Sequence, residues 1–222
     1  MRLGFSAFLI WLALASRATA CELALMLAVD VSGSVDRNEY ALQMQGLAAG
    51  LRDPVVSEAL VQARARLAIV QWTGSSRQAL ALPWTEVTGF DQLDGLADQV
   101  ERLPRHWRNY ATAIGEAQLF ALRHFSEVRG CTARVIDISG DGISNEGIEP
   151  ALMRAAFRAQ GIVVNGLAIE GAVEDLTGYY YENVISGAGA FVVTADGFED
   201  FPEKMRQKLR RETTVQLSAN AP

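Results

Sequence analysis

Residues 23–29 form a near-continuous apolar run that stops abruptly at Asp30. Such a run predicts a strand covered on both faces. The period then changes. Over residues 36–51, Tyr40, Met44, Leu47, Ala48 and Leu51 fall on one stripe, which predicts a helix. A second strand is expected over 67–72 and a short third over 78–82. Thr73-Gly74-Ser75-Ser76 between them has the composition of a hairpin turn, so the third strand should be an antiparallel edge, ended by Pro83. Residues 90–101 predict a short helix. A stronger one spans 111–125, with Ile114, Ala117, Ala121, Leu122 and Phe125 at helical spacing. Strand four is expected over 134–139. Pro150 opens a helix that Gly161 closes, and 162–169 is strand five. A helix over 174–183, a short strand over 190–193 and a last helix over 198–211 complete the pattern. That last helix turns Phe198, Phe201, Met205 and Leu209 inward.

This alternation predicts an α/β fold. Its core is a doubly wound, mostly parallel six-stranded sheet with one antiparallel edge strand and helices on both faces. No repeat or interdomain linker interrupts residues 21–212, and 213–222 reads as a short polar tail. In such sheets ligands bind at the carboxyl ends of strands, where the winding direction switches. Asp30-Val31-Ser32 and Gly140-Asp141-Gly142 both fall at such ends.

Asp30, Ser32 and Ser34 place one carboxylate and two hydroxyls at alternate positions of a strand-end loop. Three hard oxygens with room for water suit Mg²⁺, which dehydrates reluctantly and takes few protein ligands. Gly33 and Gly142 let backbone come close. Each piece also has a plain reading. Asp30 and Ser32 can cap a helix, Thr112 can cap the helix after it, and Asp141-Gly142 can be an ordinary turn.

Taken together, Asp30-x-Ser32-x-Ser34, Thr112 in Asn109-Tyr110-Ala111-Thr112-Ala113-Ile114, and Asp141 in Ser139-Gly140-Asp141-Gly142 resemble the three segments of the metal-ion-dependent adhesion site (MIDAS) of von Willebrand factor type A domains. The resemblance spans residues 23–209. It implies a divalent cation, Mg²⁺ or else Mn²⁺ or Ca²⁺, contacted by the hydroxyls of Ser32, Ser34 and Thr112. Asp30 and Asp141 would act mainly through bound waters or outer hydrogen bonds. It also implies a protein partner whose Asp or Glu completes the octahedron.

Arg105-His106-Trp107-Arg108-Asn109-Tyr110 runs directly into Thr112, and Asn145 follows Asp141 closely. Arg105, His106, Trp107, Arg108, Tyr110 and Asn145 are therefore candidates for a partner-binding rim. Buried ring anchors, solvated arginines and a turn-forming asparagine are the competing reading. Tyr179-Tyr180-Tyr181 is either an exposed recognition patch or a half-buried helix face. Asp137 lies inside strand four and needs a buried partner, for which an Arg, a Trp N–H or backbone donors are expected. The basic run 204–211 reads as a solvated helix face.

An enzyme is the weaker alternative. No Gly-x-Ser-x-Gly elbow, dinucleotide loop or phosphate-loop lysine occurs, and only His106 and His124 could serve as bases. A metal-assisted hydrolase using His106 remains open, as does a metal-free structural protein of the envelope. Zinc is not expected, for want of a Cys/His cluster.

Residues 1–20 read as a secretory signal: Arg2, an apolar centre over 5–14, and Ala18-Thr19-Ala20 before the cut. Removing them, with Arg2 and Arg17 and no acids, takes the net charge from −6 to about −8. An acidic chain is a poor nucleic-acid binder, and no segment is apolar enough for a transmembrane span. A periplasmic or secreted location follows. Cys21 lies nine residues before Asp30, and Cys131 ten before Asp141, so neighbouring parallel strands would bring the two cysteines together as a disulfide. Lipidation of Cys21 is the competing fate.

Overall fold

Every residue of the first strand, β1 (Leu23–Asp30), is buried, and the strand lies at the middle of the sheet. The computed structural model describes residues 21–219; the expected signal segment lies outside them. After β1 come α1 (Arg37–Leu51), α2 (Pro54–Gln62), β2 (Arg66–Trp72), β3 (Gln78–Glu86) and α3 (Phe90–Glu101). Then follow α4 (Ile114–His124), β4 (Ala133–Gly140), α5 (Arg154–Gln160) and β5 (Val163–Ile169). The chain ends with α6 (Leu176–Tyr179), β6 (Val192–Ala195) and α7 (Phe201–Ala219).

The sheet order is β3-β2-β1-β4-β5-β6. All neighbours are parallel except β2 and β3, so the expected architecture is the observed one. The alternation of side chains along β1 divides the core. Leu23, Leu25, Leu27 and Val29 pack with Met44, Leu47 and Leu51 of α1 and Phe201, Met205 and Leu209 of α7. Ala24, Met26 and Ala28 meet Ile114, Ala117 and Ala121 of α4. Gly46 brings α1 close to α7, since a side-chain carbon there would lie 2.9 Å from Phe201 and from the backbone of Pro202. Because β2 and β4 flank β1 on opposite sides, the winding direction switches there, and the carboxyl ends of β1 and β4 frame a crevice.

Cys21 and Cys131 form a disulfide at the other end of the same two strands, with Cα atoms 4.5 Å apart. Among the described residues no helix is long and apolar enough to cross a membrane.

Several elements differ from expectation. β3 continues through Pro83 to Glu86. It is an edge strand, and its nine residues run against seven of β2 through two irregularities in register, which is where a residue without an N–H is tolerated. α2 was not expected, although Asp53 caps it and Pro54 occupies its first turn. After α6 the chain widens into a π-type turn at Tyr180–Val184. The segment read as a tail continues α7 to Ala219, with Thr213 buried, as is Glu212 just before it.

The basic run is not simply a solvated face. Lys208 is fully buried, its Nζ 2.6 Å from Asp137 Oδ1 and 2.6 Å from Glu212 Oε1. Asn165 Nδ2 donates to the same Glu212 oxygen at 2.8 Å. The partner of Asp137 is thus a lysine from α7, not an arginine, an indole or the backbone. Arg210 pairs with Asp53 at 2.5 Å, joining α7 to the cap of α2.

Candidate metal centre

Four loops at the carboxyl edge are tied to one another by backbone hydrogen bonds. Gly33 N donates to Tyr110 O at 2.8 Å, linking the loop after β1 to the approach to α4. Asn145 N donates to Thr112 O at 2.9 Å, and Thr112 N donates to Asn145 Oδ1 at 3.0 Å. Thr73, after β2, grips both sides of Thr112. Its hydroxyl donates to Ala111 O at 2.8 Å, and its carbonyl accepts from Ala113 N at 3.1 Å. Ser144 Oγ accepts from Ile114 N at 3.2 Å, and Tyr179 Oη accepts from Ser144 N at 3.1 Å.

Within this frame, Ser32 N donates to Asp30 Oδ1 at 2.7 Å, turning the loop back over the strand end. Ser32 Oγ and Ser34 Oγ lie 3.2 Å apart, and Ser34 Oγ donates to Asp141 Oδ1 at 2.7 Å across 107 positions of sequence. Thr112 is buried against the Asp141–Gly142 turn. Its Oγ1 lies 3.5 Å from the point that a side-chain carbon on Gly142 would occupy. The five candidate ligands therefore come from the end of β1 and from loops that pack on one another.

The electrostatics are unbalanced. Asp30 is fully buried, and Asp30 Oδ2 has no hydrogen-bond partner. Burial, and after it repulsion from Asp141, push the Asp30 carboxyl up to about 8. Burial also pushes Asp141 above the usual carboxylate range. Tyr180 Oη is a second buried oxygen without a partner. A side-chain carbon on Gly140 would lie 2.8 Å from Tyr180 Oη and 2.9 Å from Asp30 Oδ2, so the two oxygens close on a position that lacks a side chain. An oxygen-only set of two desolvated carboxylates and three hydroxyls fits a hard divalent cation, which would supply the missing charge.

The expected rim divides. Arg105 turns inward, and Nη2 donates to Val31 O at 3.0 Å and Ser32 O at 2.8 Å, bracing the loop that carries the hydroxyls. His106 is anchored from β2: Gln71 Oε1 accepts from His106 N at 2.9 Å and lies 3.1 Å from His106 Nδ1. Trp107 is half-buried, its ring 5.4 Å from that of His106. Arg108 and Tyr110 are exposed, and the Arg77 guanidinium lies 3.8 Å over the Tyr110 ring. Asn145 shapes the site by holding Thr112. Sequence reasoning missed Thr73, Gln71, Ser144, Gly140 and the inward role of Tyr180. Thr73 reads in the sequence only as part of a hairpin turn, Gly140 only as a neighbour of Asp141, and Tyr180 only as part of a surface or helix face.

The protein-family model described as "Protein of unknown function (DUF1194)" matches residues 20–217. No curated protein matches the sequence. Among solved structures, proximal thread matrix protein 1 from the mussel byssus is similar over 88% of this chain and 46% of its own, with 16% identity and a TM-score of 0.64. The same mussel protein has been solved with a zinc-occupied MIDAS motif. A von Willebrand factor type A protein from Catenulispora acidiphila is similar over 88% of this chain and 43% of its own, with 15% identity and a TM-score of 0.61. The pilus adhesin SpaC from Lactobacillus rhamnosus GG is similar over 87% of this chain and 30% of its own, with 10% identity and a TM-score of 0.64. The chain spans less than half the length of each of these three proteins. The chain belongs to the DUF1194 family, and its fold is that of a von Willebrand factor type A domain.

Proposed function

We propose that this is an exported protein-binding module that captures an acidic side chain of its partner through a divalent cation. Ser32, Ser34 and Thr112 would hold the ion by their hydroxyls, and Asp30 and Asp141 mainly through bound waters or outer hydrogen bonds. Mg²⁺ is the expected ion, with Mn²⁺ or Ca²⁺ as substitutes. The zinc-occupied motif of the mussel protein adds Zn²⁺ to the ions worth testing. The observation that carries this reading is the meeting of Ser34 Oγ with Asp141 Oδ1 at 2.7 Å, beside an Asp30 oxygen that is buried and unpartnered. A bound ion would answer that unpaired charge. Few direct carboxylates leave it electrophilic toward an outside carboxylate. Non-catalytic capture is favoured over hydrolysis by His106, whose ring faces Gln71. Export is supported by the Cys21–Cys131 disulfide, which persists in oxidising compartments.

Titration of the purified protein with MgCl₂ and MnCl₂ tests this reading. Calorimetric binding and a rise in Tm are expected, both abolished in Asp30→Ala and in Thr112→Val. Absence of binding at millimolar metal in the wild-type protein would remove the proposal.

A further inference from the structure

A cleft of about 400 Å³ opens beside the candidate metal centre, between the start of α1 and the 103–109 loop, and Gly33 lines both it and the loop of hydroxyls. Its floor is apolar, from Val35, Tyr40, Leu103 and Pro104. Arg37 and Arg108 line it as exposed cations, and the inward-turned Arg105 lines it as well. The one acid in the lining, Asp36, is engaged as the cap of α1, accepting from Asn38 N at 2.7 Å and Glu39 N at 2.8 Å.

Several arginines elsewhere are ion-paired, as Arg52 is with Asp94 and Arg210 with Asp53. Arg37 and Arg108, by contrast, have no ion-pair or hydrogen-bond partner among the described residues. Arg105 Nε is buried and also unpartnered. The three guanidinium groups that line the cleft give it a positive field. The positive end of the α1 dipole adds to the same field.

We propose that this cleft seats a second acidic residue of the protein partner, within a few positions of the one held at the metal. Arg37 and Arg108 receive its carboxylate, and the apolar floor takes the intervening chain. The proposal rests on the metal-dependent capture proposed above and names the partner's chemistry: an acidic segment with at least two carboxylates. A single carboxylate would satisfy the ion but leave the guanidinium groups unpaired.

The test uses two synthetic peptides, N-acetylated and C-amidated, Gly-Glu-Gly-Glu-Gly and Gly-Glu-Gly-Gln-Gly, with the wild-type protein and the double variant Arg37→Gln/Arg108→Gln. Affinity is read by NMR titration in Mg²⁺, the arginine Nε–Hε signals are followed in chelator, and metal binding is measured by calorimetry. In Mg²⁺ the two-acid peptide should bind the wild-type protein about fivefold more tightly than the one-acid peptide, the scale of one or two partly exposed ion pairs. The double variant should lose that preference while keeping its metal affinity and its affinity for the one-acid peptide. In chelator the two-acid peptide should still shift the Arg37 and Arg108 signals at millimolar concentration. A preference unchanged in the double variant, with metal still bound, overturns the cleft and leaves the metal site standing. Absence of metal binding, with the arginine shifts retained in chelator, overturns the metal site and leaves the cleft. Shifts produced by phosphatidylglycerol vesicles and by neither peptide would overturn the acidic-segment proposal in favour of a lipid surface.

Discussion

Lys208 Nζ lies 2.6 Å from Asp137 Oδ1, and neither side chain touches water. This contact joins the middle of β4 to the far turns of α7, and it brings in Glu212 and Asn165 behind it. One cation faces two carboxylates in a desolvated place, so the pair is held by geometry more than by surplus attraction.

Removing the cation should therefore be costly. Lys208→Met is expected to destabilise the protein by about 3–5 kcal/mol, because two buried acids lose their counter-ion. The urea midpoint of the variant against wild type checks this. Lys208→Met/Asp137→Leu/Glu212→Leu should recover most of the loss.

The same cluster sets a pH dependence. Burial raises the Asp137 carboxyl to about 7, from an ordinary value of 3.8, against the opposing pull of Lys208 and with the push of Glu212. A carboxyl raised in the folded state binds its proton more tightly there than in the unfolded chain. Its contribution is thus most favourable below the ordinary value and declines as pH rises toward 7. The difference in unfolding free energy between Asp137→Asn and wild type, measured from pH 4 to 8, should move in favour of the variant as pH rises. A flat difference would mean that Asp137 holds its charge throughout.

Gly140 tests the interior side of the candidate metal centre. A methyl group there would press on Tyr180 Oη and Asp30 Oδ2, both nearer than 3.0 Å. Gly140→Ala is expected to weaken Mn²⁺ binding by about tenfold or more, the usual scale for disturbing groups behind a ligand. Adding Tyr180→Phe to that variant should restore part of the affinity by clearing one of the two contacts. Calorimetric titration of the single and double variants decides the matter.

The disulfide closes a long loop, Cys21 and Cys131 being 110 positions apart in sequence. Cys21→Ser/Cys131→Ser should lower stability by about 2–4 kcal/mol, mostly by freeing the unfolded chain. Unfolding of the wild-type protein with and without reductant should show a shift of the same size, and that of the double variant should show none.

The main lines of the fold were legible because β1, the α1 stripe and the Pro150–Gly161 bracket carry their signals locally. The same holds for Asp30, Ser32 and Ser34, which share one loop. What escaped is what depends on partners distant in sequence. Lys208 and Glu212 sit four apart on a helix, a spacing that looks the same on a solvated face and in a core. Only Asp137, a charge inside an apolar strand, signalled that a counter-ion must come from elsewhere. Arg105 looked like a contact residue because arginine favours interfaces, yet its donors go to the carbonyls of Val31 and Ser32. Pro83 breaks a strand only where its N–H is needed, and at an edge it is not. Asp53-Pro54 did announce α2, but α1 ends only at Leu51 and hid the new beginning.

The sulfur bridge and the pair Asp30 and Asp141 lie at opposite tips of the same two strands. Eight residues of strand separate them, a span of about 26 Å. Neighbouring strands that are stapled at one tip lose their freedom to slide past each other. The relative level of the two carboxylates is thus set in part by a covalent bond on the remote side of the molecule.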